Sequence, residues 1–377
     1  MSARLKGAAL GAAVIAMALL VAACGGSSEK TVTAASKTDR GKPAKKATGY
    51  FSEESPWNTP VESLPASKRS EKMLRLARRR VAVEETEGGK GYRTVERVVK
   101  KGVQINADRW APLVVEAGGA NVVTTRMVCR QTECGPADER VPRTLALPPQ
   151  TTPDPSYDGW LSVIDREKGV AYDFWRARRQ SDSEISYQFA KTWKLDGPGF
   201  SKPVSEDPQR ATGARGSGLP LFAGVIGPAE LRAGEINHAL AISVPGLARR
   251  SYVQPASVTD GVGSVNSLPA GARLRLKGSA LEDAPLAKGT GPSSEAILVA
   301  LHRYGAIVVD RASVPTLYAA AGTPATLLRE NELNWLQLSD FEVISLPKVL
   351  KDPPLNQVEQ YGLGTGSSTA VGGGGGG

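Results

Sequence analysis

From about Arg93 the chain reads as short runs rich in valine, isoleucine, threonine and aromatic residues, broken by glycine, proline, asparagine and aspartate. The runs are "YRTVERVV", "APLVVEA", "NVVTTRMVC", "RTLALP", "GWLSVID", "VAYDFWRAR" and "EISYQFAKTWKL". Turn residues recurring roughly every eight to twelve positions between such runs predict a mainly β fold of the sandwich or barrel kind. In "VAYDFWRA" the alternation is clear: Val170, Tyr172, Phe174 and Arg176 share one face, and Ala171, Asp173, Trp175 and Ala177 the other.

Helical spacing is confined to a few places. "SKRSEKMLRLARRRVAVEE" sets Met73, Leu74, Ala77 and Val81 near one stripe, with Arg75, Arg78, Arg79 and Arg80 mostly elsewhere. A solvated basic face over an apolar stripe explains this pattern, and so does a partner site. "GPAELRAGEINHALAISVP" predicts a short helix opening at Pro228, a stop near Gly234 and a strand over about residues 236–244. "SSEAILVALHRYGAIVVD" predicts a helix over about residues 293–304, a glycine stop and a buried strand, and "DFEVISLP" a last strand near residues 342–346. No internal repeat is visible.

The ends of the chain differ in kind from the body. "MSARLKGAALGAAVIAMALLVAAC" has a charged start, an apolar run shorter than the roughly 20 residues of a membrane span, and small residues before Cys24. "VAAC" resembles the bacterial lipobox. It makes residues 1–23 a lipoprotein signal peptide and Cys24 the lipidated N-terminus, and it places the protein outside the cytoplasm, on the outer face of the cytoplasmic membrane. Residues 24–49 are lysine-rich and nearly free of bulky apolar side chains, so they are expected to form a disordered basic tether that adds electrostatic attraction to the lipid anchor. A single domain over residues 50–354 and a disordered glycine-rich tail over 355–377 complete the expected organisation.

The formal charge is +9, two fewer once Arg4 and Lys6 leave with the signal. The basic residues are spread along the chain without an aromatic-rich basic motif, so nucleic acid is not expected as a partner, whereas acidic glycans and phospholipid head groups are. Cys129 and Cys134 remain as a pair in an oxidising compartment, and a disulfide is expected between them.

The series "SPWNTPV", "LSVIDREKGVAYDFWRAR", "GLPLFAGVIGPAELRAGEINHALAISVP", "ALHRYGAIVVDRASVPTLYA" and "LQLSDFEVISLP" is similar to an uncharacterised family of exported proteins common in actinobacteria and other soil bacteria. The resemblance covers roughly residues 51–347 and implies one integrated domain and an extracellular role. It implies no reaction. Analogy with other exported all-β proteins of this size suggests a jelly-roll-like β-sandwich with a few short helices.

Sharp catalytic motifs are absent: there is no G-x-S-x-G elbow, no H-E-x-x-H and no phosphate loop, and no cofactor or metal is expected. "SSEK" matches S-x-x-K but lies in the tether, where nothing positions a nucleophile. What remains is a set of polar and aromatic residues within apolar strands. His238, Asp173 and Asp310 are the catalytic candidates, and Trp57, Asn58, Tyr172, Trp175 and Asn237 the substrate-binding ones, with Asp165 as a further carboxylate. If residues 236–244 are strand throughout, His238 lines up with Ile236, Leu240 and Ile242, and its ring then needs a partner, for which Asp173 and Asp310 are the nearest in kind. Aromatic rings on a sheet face suit sugars, and paired carboxylates or a histidine base would suit a glycoside hydrolase or polysaccharide lyase. The same residues also read as core aromatics, strand-end caps and, for Asn58, a closed turn. The expectation is a surface-anchored lipoprotein that binds or processes envelope or environmental polysaccharide. The alternative is a non-catalytic structural or assembly lipoprotein of the cell envelope.

Overall fold

The computed structural model describes residues 49–85, 92–136, 141–282 and 292–352. The expected signal peptide with Cys24, the expected tether up to residue 48, and the expected tail lie outside the described residues. Among those described, no helix is long and apolar enough to cross a membrane.

The body is mainly β, built from sheets packed face to face. An outer four-stranded sheet runs in the order Thr144–Leu147, Val123–Cys129, Glu184–Tyr187, Arg178–Ser181. A middle four-stranded sheet runs Phe189–Lys194, Val170–Trp175, Leu161–Asp165, Leu113–Glu116. An inner six-stranded sheet runs Phe341–Val343, Arg273–Leu276, Ala306–Arg311, Leu240–Val244, Thr316–Tyr318, Gln104–Asn106.

Three apolar layers separate these sheets and their covering helices. Leu161, Val163, Tyr172 and Phe174 of the middle sheet pack on Met127, Leu145, Ile185 and Tyr187 of the outer one. Ile164, Ala171 and Trp193 point the other way, onto Ala241, Ile307, Val309 and Tyr318 of the inner sheet. On the far side of the inner sheet, Leu240, Ile242, Val244, Ala306 and Val308 meet the helices Ser70–Ala77 and Pro292–Arg303. The middle sheet is therefore covered on both faces, which is why "LSVID" is buried at every position although it lacks a polar face in the sequence. Burying Leu161, Val163, Ile164 and Phe174 completely is worth about 1.5–3 kcal/mol for each side chain.

Each of the seven runs quoted from residue 92 onward contributes a strand, and the expected disulfide Cys129–Cys134 closes the turn after Val123–Cys129, with Cα atoms 5.8 Å apart. Several pairings are parallel: Leu113–Glu116 with Leu161–Asp165, Val123–Cys129 with Glu184–Tyr187, and Leu240–Val244 with Ala306–Arg311. Two long runs also divide between sheets. "VAYDFWRARRQ" leaves the middle sheet at Arg176 and joins the outer one at Arg178, and "EISYQFAKTWK" returns through Gln188.

Two local expectations change. The basic helix ends at Ala77, and Arg79–Glu85 instead pairs antiparallel with Tyr92–Val98, because the alternating Val81-Ala82-Val83 favours a ladder once a partner strand is present. The strand after Gly234 begins only at Leu240, so His238 sits in a bend before it and does not share its alternation.

Candidate functional site

The double passage of the chain between middle and outer sheets opens a cleft of about 540 Å³, lined by Trp110, Ser156, Tyr157, Asp158, Arg176, Arg178 and Gln188. Arg176 leaves the strand with φ 51°, and its N–H donates to Asp158 O at 2.7 Å while Ala177 N–H donates to Gly159 O at 3.0 Å. Opposite them, Gln188 N–H donates to Trp175 O at 3.1 Å. Backbone hydrogen bonds between these connecting residues thus fix three sides of the cleft.

Trp110 forms the fourth side from the segment between Gln104–Asn106 and Leu113–Glu116. Its φ is 49°, a conformation costly for a bulky residue, and its ring lies 4.1 Å from that of Tyr157, tilted by 44°. It is 46% exposed, so the platform meets solvent. Two bulky residues in left-handed conformations, both on one cleft, are strain of the sort that concentrates at binding sites.

The polar lining is unevenly balanced. The Arg176 guanidinium lies 4.5 Å from the centre of the Trp175 ring and reaches Gln188 Oε1 at 3.4 Å. Arg178 donates to Tyr157 O at 2.5 Å and Ala177 O at 2.8 Å. Burial lowers its basicity, with neighbouring Arg176 adding to the effect against the opposing charges of Asp154 and Asp158. Asp158 is raised above the usual carboxylate range by burial, against the hydrogen bond from Trp175 and the charges of both arginines. Gly159 makes room for all this: a Cβ there would stand 1.8 Å from Arg178 Nη1 and 2.5 Å from Ala177 O, at φ 56°.

Of the residues singled out from the sequence, Trp175 borders this cleft and the others lie elsewhere. Trp57 is 2% exposed, donates its indole N–H to Gly199 O at 2.9 Å, and is core, unable to stack on a sugar. Asn58 closes the turn, donating to Tyr50 O and Ser52 O at 2.9 and 2.8 Å. Tyr172 is buried between the middle and outer sheets. Asn237 is half-buried beside His238. Asp165 caps the following turn, accepting from Lys168 N at 3.0 Å.

His238, Asp173 and Asp310 do not form one catalytic group. The carboxylate that meets His238 is Glu230, at 2.9 Å from Nε2, while Nδ1 faces Ala239 O at 2.9 Å. Glu230 belongs to the preceding helix and also accepts from Gly227 N at 2.8 Å, which ties the bend to that helix's first turn. Burial alone would lower the imidazole, but the hydrogen bond and charge of Glu230 outweigh it and hold His238 above its ordinary value. With an oxygen acceptor at each nitrogen, the ring serves as a double donor.

Asp173 and Asp310 instead lie in a buried polar seam between the middle and inner sheets. Asp173 accepts from Ser162 Oγ at 2.5 Å, Trp193 Nε1 at 2.7 Å and Leu221 N at 2.8 Å, so its lone pairs are used. Leu221 O in turn accepts from the fully buried Arg215 at 3.0 Å, and Arg215 pairs with Asp310 at 3.1 Å. Asp310 points into this layer because the register skips Val309, a bulge that sets Ser243 opposite Asp310. Burial pushes Asp173 up to about 6 and Asp310 up to about 7.

Sequence reading passed over Trp110, Tyr157, Asp158, Arg178 and Gln188. The signal that could have found them is aromatic residues in loops, "DRWAP" and "SYDGW", rather than aromatics in strands. In comparison with known proteins, no family model, no curated protein and no solved structure matches the chain.

Proposed function

We propose that this chain is an extracytoplasmic lipoprotein, anchored through Cys24, whose folded body binds polysaccharide of the envelope or its surroundings in the Trp110–Tyr157 cleft. The observation that carries this reading is the exposed Trp110 ring held against Tyr157 beside Asp158, Arg176, Arg178 and Gln188. A flat apolar ring takes the C–H face of a sugar, while carboxylate, guanidinium and amide groups take its hydroxyls. Two strained backbone positions hold these groups in place before any ligand arrives, which cuts the ordering cost of binding.

Binding without turnover is the version the cleft supports best. Asp158 is the carboxylate among its lining residues, whereas glycoside hydrolysis draws on a pair about 5–9 Å apart. The test is titration of the purified full chain with a panel of polysaccharides, followed by tryptophan fluorescence and calorimetry. Saturable binding should appear and fall about tenfold or more in Trp110→Ala, the loss expected on truncating a central aromatic contact. Absence of binding across the panel would overturn the reading in favour of a structural or assembly lipoprotein, and binding unaffected by Trp110→Ala would move the site elsewhere.

A further inference from the structure

Resting on that reading, we infer that the cleft selects acidic polysaccharide, with Arg176 and Arg178 receiving the carboxylate of a uronic acid residue stacked on the aromatic platform. The two guanidiniums lie on one cleft, and neither meets a carboxylate at ion-pair distance among the described residues. Their partners are neutral: Gln188 Oε1 for Arg176, and the carbonyls of Tyr157 and Ala177 for Arg178. Elsewhere Arg215 is matched by Asp310 and Arg275 by Glu342 at 2.7 Å, whereas Arg179 and Arg273 are held, like Arg178, by carbonyl oxygens. Asp158, the one negative group of the lining, is half-buried and already accepts the Trp175 indole N–H. The lining residues themselves therefore carry two positive groups against one negative, with Asp154 acting on Arg178 from outside the lining.

Geometry narrows the class of anion. A pyranose stacked on an aromatic ring projects its C5 carboxylate from the edge of the sugar, so the receptor must stand beside the platform. Arg176 lines the same cleft as Trp110 and Tyr157, held over Trp175 and without a carboxylate at ion-pair distance among the described residues. A guanidinium matches a carboxylate with two parallel hydrogen bonds, a geometry that lysine cannot offer.

The test uses the full chain and a panel of uronate oligosaccharides, each paired with its carboxyl-reduced counterpart of equal length. The acidic member should bind at least tenfold more tightly, and the preference should shrink between low and high salt, as expected for a partly exposed ion pair. Arg176→Gln keeps side-chain size and an amide donor, and should bring the acidic-to-reduced ratio close to one with the melting temperature unchanged. Equal binding of both members by the parent protein would overturn the inference and leave the glycan reading standing. Binding of neither would end both. A preference that persists undiminished in folded Arg176→Gln would also overturn it, because Arg176 would then not receive the carboxylate.

Discussion

Arg215 and Asp310 face each other at 3.1 Å between two sheets, with side-chain exposures of 0% and 9%. The guanidinium is also bracketed by the carbonyls of Pro220 and Leu221 and stacked near Tyr318, 4.7 Å from its ring centre. Removing one member of such a pair leaves the other charged and desolvated. Asp310→Ala should therefore cost about 3–5 kcal/mol in denaturant unfolding, while a joint Asp310→Leu and Arg215→Met replacement should recover much of that loss. A double variant as unstable as the single one would show that the pair is not what stabilises the seam.

The seam also sets a pH dependence. Asp173 and Asp310 have folded values near 6 and 7, above the roughly 3.9 of an unfolded aspartate, and Asp352 is likewise pushed up by burial to about 7. A raised carboxylate binds its proton more tightly when folded, so its contribution is complete below about pH 4 and is lost as pH climbs through the folded value. For Asp173 the contribution is about 3 kcal/mol at most. The melting temperature should fall between pH 5 and pH 8, and Asp173→Asn should flatten part of the slope. A profile that rises over this range contradicts the assignment.

His238 adds to the same trend. Its folded value is raised, so the stability from the Glu230 contact is present below about pH 6.5 and lost as pH rises through the folded value. Glutamine cannot bridge Glu230 and Ala239 O with two ring donors, and His238→Gln should lower the melting temperature by a few degrees at pH 6 and less at pH 8. Glycan affinity should not change, because the ring lies outside the cleft. Lost binding in a well-folded variant would return His238 to the functional site.

Gly159 tests the cleft from its backbone. Gly159→Ala would place a methyl group on Arg178 Nη1 and on Ala177 O at a left-handed φ, and the backbone contact cannot be relieved by moving a side chain. A loss of about 1–3 kcal/mol is expected for strain of this kind, together with weakened ligand binding from the displaced arginine. Calorimetry showing unchanged stability and affinity would refute the role.

Cys129 and Cys134 join across a short loop at the end of an outer-sheet strand. Opening so small a loop in Cys129→Ser with Cys134→Ser should cost on the order of 2 kcal/mol. Two titratable thiols in the denatured parent chain would show that the bond does not form.

Local pattern alone determined much of this protein. The alternating runs, the Pro228 opening, the Gly234 and Gly305 stops and the cysteine pair all rest on interactions within a few residues, and the structure realises each of them. Asp173 too was correctly placed opposite Tyr172 and Phe174 by the period of a strand. Tertiary structure decided which strands share a sheet, and with that the site. Nothing local to "VAYDFWRAR" or "EISYQFAKTW" says that each run crosses from one sheet to the other, yet those crossings put Arg176 and Gln188 beside Tyr157 and Trp110. Likewise, His238 found Glu230 and not an aspartate because a bend, rather than a strand, follows the helix stop, and Asp310 met Arg215 because a bulge at Val309 turned it inward. A side chain's neighbours in these layers come from segments far away in the chain, as with Arg215 and Asp310 at a separation of 95 and Trp57 and Gly199 at 142, and such meetings are fixed by how whole sheets stack rather than by any stretch of sequence.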